Sequence, residues 1–193
     1  RQKEFTERTQ LLMDSLDVDE VIAQLLVTEG FASVEEVAYV ELSEIANIEG
    51  FDEGTAEQIQ TRAREFLEQQ EAERDAKRRE LGVADEIAEV EGVTTAMMVA
   101  FGENGIKTLE DLADCATDDL IGWTERKKDK DSEAVRHKGV LDGFEIDRKD
   151  AEDMILSARI LAGWITAEEV APEETEETEA ETGAEADDAS TQA

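Results

Sequence analysis

Apolar residues recur along this chain at spacings of three and four, in short bursts broken by glycine or by a capping residue. That period puts each burst on one face of a helix. Leu25, Leu26 and Val27 close one such helix before Thr28-Glu29-Gly30, where Gly30 suits the left-handed position past a helix end. Phe31 follows as a hydrophobic plug. Ser33, with Glu36 three residues on, predicts a capping box opening a helix with the stripe Val34, Val37 and Ala38. A short helix is expected after Ser43, ending at Asn47-Ile48-Glu49-Gly50-Phe51. Thr55-Ala56-Glu57-Gln58 predicts the start of the next, with Ile59, Ala63, Phe66 and Leu67 facing inward. Sustained period-two alternation is missing, so no strand is expected and the fold class reads as all-α.

The pattern occurs twice. A shift of 75 residues lays Gly30-Phe31-Ala32-Ser33-Val34-Glu35-Glu36-Val37-Ala38 on Gly105-Ile106-Lys107-Thr108-Leu109-Glu110-Asp111-Leu112-Ala113. Apolar positions stay apolar, and the match extends to Val18/Val93, Ile22/Met97, Val40/Cys115, Ile45/Leu120 and Ile48/Trp123. Thr108 with Asp111 repeats the capping signal. Further on, Ala56-Glu57-Gln58-Ile59 and Ala63-Arg64 match Ala151-Glu152-Asp153-Met154 and Ala158-Arg159 at a shift of 95, so the second copy holds about 20 extra residues, placed at 124–143. Two copies predict tandem domains rather than a solenoid.

Ile48-Glu49-Gly50-Phe51 and Val90-Glu91-Gly92-Val93 share an apolar–x–Gly–apolar turn between helices, the hairpin of a helix-hairpin-helix unit; Gly50 and Gly92 are its turn glycines. Two hairpins and a connecting helix make a five-helix domain. The expected organisation is an entry segment 1–13, a first domain 14–67, a helical linker 68–82, a second domain 83–166 with the insertion 124–143, and an acidic tail 167–193. In the first copy Leu16-Asp17-Val18 stands where the first hairpin glycine is lacking. Residues 68–80 of the linker are good helix formers with no large apolar residue; Glu73/Lys77 and Asp75/Arg79 are acid-first i,i+4 pairs, so it reads as a solvated, semi-rigid spacer. Residues 168–193 hold eleven acids and no base, and are read as disordered because they bury too little to offset ordering.

Charge decides how the hairpins are used. With 52 Asp and Glu against 19 Lys and Arg, the formal charge is −33. Hairpin amides of this type can clasp a phosphate, but Glu49 and Glu91 lie in the turns and Asp52 and Glu53 follow the first. Phosphate binding needs a Lys/Arg excess, so a cationic protein is the expected partner, and no direct DNA or RNA binding by this chain is expected. Candidate partner-binding residues are Glu110, Asp111, Asp114, Asp118 and Asp119 in the second copy and Glu35, Glu36, Glu41 and Glu44 in the first, with Trp164 as an anchor if exposed. Trp123 and Trp164 are both expected in the core or as plugs, and Cys115 as a small buried residue on an apolar stripe. The insertion, with six bases and five acids, lacks the negative excess of its surroundings and reads as a solvated loop or an intramolecular or RNA contact.

One Cys and one His leave no disulfide framework, CxxC cluster or His-pair metal motif. Phosphate-loop, dinucleotide and EF-hand spacings are absent. No apolar run approaches the ~20 residues of a membrane span. No catalytic residue, metal or cofactor is expected, nor is a membrane, and the chain reads as non-enzymatic and cytoplasmic. Starting at Arg1 rather than Met, it is expected to be a fragment or processed product.

Glu29-Gly30-Phe31, Val34 to Val40 and Ile48-Glu49-Gly50-Phe51-Asp52-Glu53 resemble the first acidic repeat at the C-terminus of the bacterial elongation factor NusA. Val90-Glu91-Gly92-Val93, the Gly105–Ala113 segment, Ala158-Arg159 and Trp164 resemble the second. The resemblance implies a regulatory part of a factor controlling pausing, termination and antitermination. Its acidic repeats would bind the C-terminal domain of the RNA polymerase α subunit or antitermination proteins. One repeat would fold back on upstream KH and S1 domains to modulate RNA binding. Residues 1–13 would then be the exit from the last KH domain. The alternative reading is an acidic DNA mimic or histone-chaperone-like protein that sequesters basic partners.

Overall fold

A computed structural model describes residues 1–126, 128 and 133–170. The acidic tail expected at 167–193 lies outside the described residues from 171 onward. Ten helices order the described chain: α1 Gln2–Leu16, α2 Glu20–Thr28, α3 Val34–Tyr39, α4 Leu42–Ala46, α5 Glu53–Glu80, α6 Thr95–Glu103, α7 Leu109–Ala113, α8 Thr117–Ile121, α9 Arg148–Leu161 and α10 Ala167–Val170. A 3-10 turn, Asp85–Glu89, precedes α6. The all-helical expectation needs one correction. Between α8 and α9, β1 Trp123–Glu125 pairs antiparallel with β2 Val135–His137. Three-residue strands are too short to print an alternation on the sequence.

The chain packs around two apolar cores. Positions matched by the 75-residue shift are buried in both: Leu12 and Ile87, Leu26 and Phe101, Val37 and Leu112, Ala38 and Ala113, Ile45 and Leu120. Ala56/Ala151, Ile59/Met154 and Ala63/Ala158, at the shift of 95, are buried as well. Polar contacts repeat with the packing. Arg64 Nε donates to the Ala38 carbonyl at 3.2 Å, and Arg159 Nε donates to the Ala113 carbonyl at 2.9 Å. These guanidinium groups tie the long helix of each unit to the end of its short helix.

The turns carry the fold signature. Phe51 N–H donates to Ile48 C=O at 3.0 Å, Val93 N–H to Val90 C=O at 3.2 Å and Phe144 N–H to Leu141 C=O at 3.1 Å. Their glycines Gly50, Gly92 and Gly143 have φ of 92°, 78° and 88°, a region that side chains other than glycine enter at a cost. Where the first turn lacks glycine, Asp17 itself takes φ 52°; Asp is among the residues that tolerate this region. Arg62 Nη1 donates to the Asp17 carbonyl at 3.0 Å and steadies that turn.

Leu141-Asp142-Gly143-Phe144 is therefore the counterpart of Ile48-Glu49-Gly50-Phe51. The hydrogen bonds agree: Ile48 N–H donates to Ile45 C=O at 3.2 Å, and Leu141 N–H to the matching Leu120 C=O at 2.9 Å. Trp123, aligned with Ile48 by sequence, is not its equivalent. It is 45% exposed on β1, so the expectation of a core or plug position fails. The inserted residues leave the fold at Gly122 and rejoin it by Val140. At that neck a Cβ on Gly122 would run into the backbone of His137 and Gly139, and one on Gly139 into that of Leu120 and Gly122.

Two local expectations also shift. Ser43 lies inside α4, which Glu41 precedes, and α5 starts after Asp52, whose carboxylate accepts from Thr55 N–H at 2.7 Å. The spacer is not a separate solvated helix. It is the C-terminal half of α5, which packs against α6, and Thr95 Oγ1 donates to the Glu71 carboxylate across that contact. Arg78 is only 5% exposed. Its guanidinium donates to the Val83 carbonyl at 3.0 Å, to Asp85 at 2.6 Å and to Asp75 at 2.8 Å. Asp75, then Asp85, hold this guanidinium even more firmly protonated than usual.

Candidate partner-binding surface

The acidic positions follow from how α3 and α7 are capped. Ser33 Oγ accepts from Glu36 N–H at 3.3 Å, and Glu36 Oε2 accepts from Ala32 N–H at 2.7 Å. With Val34, Val37 and Ala38 buried beneath, Glu35 and Glu36 are left on the outer face. In α7, Thr108 Oγ1 accepts from Asp111 N–H at 3.1 Å, and Asp111 Oδ2 accepts from the amides of Lys107 and Thr108 at 3.0 and 3.1 Å. Those backbone donors, Lys107 first, pull the Asp111 carboxyl below its ordinary range.

All nine candidate carboxylates are exposed, but they are not equally available. Glu36 and Asp111 are caps. Asp119 accepts from Ala116 N–H at 2.8 Å and caps α8. Asp118 pairs with Arg148 at 2.8 Å. Glu35, Glu41, Glu44, Glu110 and Asp114 accept no side-chain or capping hydrogen bond among the described residues. Their carboxylates are left to solvent.

In the first unit the structure adds residues that charge reasoning passed over. Half-buried Phe31 and Val40 floor an open hollow of about 610 Å³, with Tyr39 at its side and exposed Glu29, Glu36 and Glu44 around it. Tyr39 is 75% exposed and also borders a second hollow, of about 760 Å³, with Glu35, Arg64, Leu67 and Arg74. An exposed aromatic ending a buried stripe was the available signal, since Tyr39 falls just past Val37 and Ala38. The 75-residue shift puts Asp114 in the place of Tyr39 and Ile106 in that of Phe31, so the second face is more purely acidic.

Trp164 is 50% exposed just past α9, and Leu161 in its last turn is 41% exposed. Its amide donates to the Arg159 carbonyl at 2.9 Å, which fixes the turn and leaves the indole outside. The hairpin turns carry acids, and one turn amide is already used. Glu91 N–H already donates to Ser157 Oγ at 3.1 Å, and Glu49 and Glu91 are exposed in the turns. Cys115 is half-buried and packs on the second core; burial, then Asp119, push its thiol up to about 11. Among the described residues no group of three His, Cys, Asp or Glu side chains is placed to hold a metal, and no helix is long and apolar enough to cross a membrane.

Short helices, paired apolar–x–Gly–apolar turns and a shared buried pattern are features of helix-hairpin-helix folds. Residues 11–65 match the family model of the SAM-like helix-hairpin-helix tandem. The chain is also similar to the transcription termination/antitermination protein NusA: 40% identical over 120 residues to that of Rickettsia prowazekii and 39% to that of Rickettsia conorii. Each match covers 62% of this chain and 24% of the relative, so the chain spans about a quarter of the length of the curated relatives it matches. The resemblance to NusA read from the sequence is thereby shown.

Proposed function

We propose that this chain is the protein-binding regulatory region of a NusA-like factor in transcription termination and antitermination, built as two tandem helix-hairpin-helix repeats. The relatives are named as transcription termination/antitermination proteins. The repeated core positions and turns support reading 83–166 as a second copy. In this reading the acidic faces dock a cationic surface: the C-terminal domain of the polymerase α subunit, or an antitermination protein. By the same faces one repeat covers basic RNA-binding domains of KH and S1 type in the full-length factor and releases them when the partner binds.

The observation that carries the reading is the hollow of Phe31, Tyr39 and Val40 with Glu29, Glu36 and Glu44 around it. Apolar floor and acidic rim together suit a basic segment with an apolar or aromatic anchor. The floor supplies affinity and the rim supplies steering and salt sensitivity. The second unit offers Glu110 and Asp114 for a more electrostatic contact. The test is a titration with the isolated α-subunit domain, following backbone amide shifts of this chain. Saturable shifts at α3 or α7, weakened by about 0.5 M salt, support the proposal. Equal affinity for unrelated basic proteins points instead to non-specific sequestration.

A further inference from the structure

The inserted hairpin of the second unit is unlike the rest of the chain. Trp123 and His137 face each other across the β1–β2 register, with ring centroids 4.1 Å apart and planes within 20°. By strand alternation Glu125 and Val135 share that face, while Thr124 and Arg136 lie on the other. Trp123 is 45% exposed and Val135 40% exposed. Glu125, the carboxylate on this face, is engaged by His137 Nε2 at 3.2 Å. Arg126 follows β1 directly and Lys138 follows β2 directly, and both are exposed. The strands run antiparallel, so these cations stand at opposite ends of the ribbon. Arg136 Nη2 donates to the Ile121 carbonyl at 3.0 Å, and Val140 N–H donates to the Asp119 carbonyl at 2.9 Å. With the glycine neck, these bonds hold the ribbon to α8.

We infer that this hairpin is a binding platform for single-stranded RNA. Bases stack on the Trp123–His137 face, and the flanking phosphates meet Arg126 and Lys138. A stacked aromatic pair open on one side, bracketed by cations, is how sequence-tolerant single-strand binding is built. A basic peptide gains nothing from these cations, and an acidic peptide leaves the aromatic face unused. The net charge of −33 opposes nucleic acid over the chain as a whole. At physiological salt, however, charge is felt over only about 8 Å, so the hairpin's own residues set the local field. Asp118, near its base, is already paired with Arg148. This revises, for one element, the expectation of no RNA contact. The choice of RNA over other single strands rests on the proposed role in transcription; the stacking chemistry does not.

The test uses the full chain with Trp164→Phe, which leaves Trp123 as its sole tryptophan. Short oligoadenylate RNA is added at about physiological salt, with Trp123 fluorescence as the direct readout and anisotropy of labelled RNA as the second. Saturable quenching is expected. Trp123→Ala, in a chain that keeps its circular dichroism, should weaken binding by roughly tenfold or more. Arg126→Gln and Lys138→Gln should each weaken it a few-fold and flatten its salt dependence. No quenching up to about millimolar RNA, or RNA affinity unchanged in Trp123→Ala, overturns the inference. So does equal quenching by polyglutamate, which makes the partner an acidic protein, or binding of oligodeoxyadenylate without RNA. The α-subunit titration with Trp123→Ala is the control. It should be unchanged, so failure of the platform and failure of the docking proposal remain separable.

Discussion

Replacing Arg78 by Ala tests whether the second half of α5 belongs to the fold or merely spans between its parts. The side chain is 5% exposed and joins α5 to the Val83 carbonyl and to two carboxylates. A hydrogen bond involving a charged group contributes about 1.5–3 kcal/mol when shielded. Asp85 is 85% exposed and Asp75 37% exposed, so most of their Coulombic share is screened. The Val83 bond and the packed aliphatic stem are what remain. Together they give a loss of about 2 kcal/mol for Arg78→Ala. With a urea m-value of about 2 kcal/mol/M, that moves the unfolding midpoint down by about 1 M. Arg78→Lys should recover only part of it, because an ammonium cannot span the same fork of acceptors. Amide hydrogen exchange at 81–87 should accelerate in step with the loss. A change below about 0.5 kcal/mol, with exchange at the junction unaltered, would refute the seating of α5.

Gly139→Ala should unfold or displace the hairpin neck, since its Cβ would meet the Leu120 carbonyl; a cost of about 1–3 kcal/mol is expected, read by thermal melting. Cys115, with its thiol pushed up to about 11, should be about 0.1% thiolate at pH 8 and react with iodoacetamide some hundreds-fold more slowly than a free thiol; reaction at the free-thiol rate contradicts its packing. Asp111 is held below its ordinary range in the folded chain. Its capping contribution is therefore complete above the unfolded carboxyl pKa of about 4 and fades as pH falls through the lower folded value. The stability gap between wild type and Asp111→Asn should be constant near neutrality and narrow only in that acid window, measured by urea titration at several pH values.

The duplication was legible because burial and turns print directly on sequence. Apolar matches at a fixed shift became buried pairs such as Leu26/Phe101 and Ile45/Leu120, and Gly50 and Gly92 marked turns that do need a positive φ. The shift failed at Trp123 because it carries no information about where an insertion begins. The hydrogen bonds of Ile48 and Leu141 carry that information. Asp17 could not be read as a working turn, since its conformation is imposed by the flanking helices and the Arg62 contact. Arg78 looked like one more solvated cation in a charged helix; only the chain's return at Val83 buries it. The acidic faces were legible as charge, but not the division of labour within them. Capping occupies Glu36, Asp111 and Asp119, while Tyr39 and Phe31 build the hollow where apolar contact is available.

A scaffold suited to phosphate, presenting carboxylates around a small apolar floor, should grip cationic protein. Calorimetry can decide this by comparing how tightly the C-terminal domain of the polymerase α subunit binds three chains: wild type, Glu35→Gln/Glu44→Gln/Tyr39→Ala, and Glu110→Gln/Asp114→Asn. A saturable complex is expected, which at least one of the two variants weakens by about tenfold, with a shallower salt dependence left behind. Undiminished binding by both variants, with the salt response intact, would contradict carboxylate-led docking.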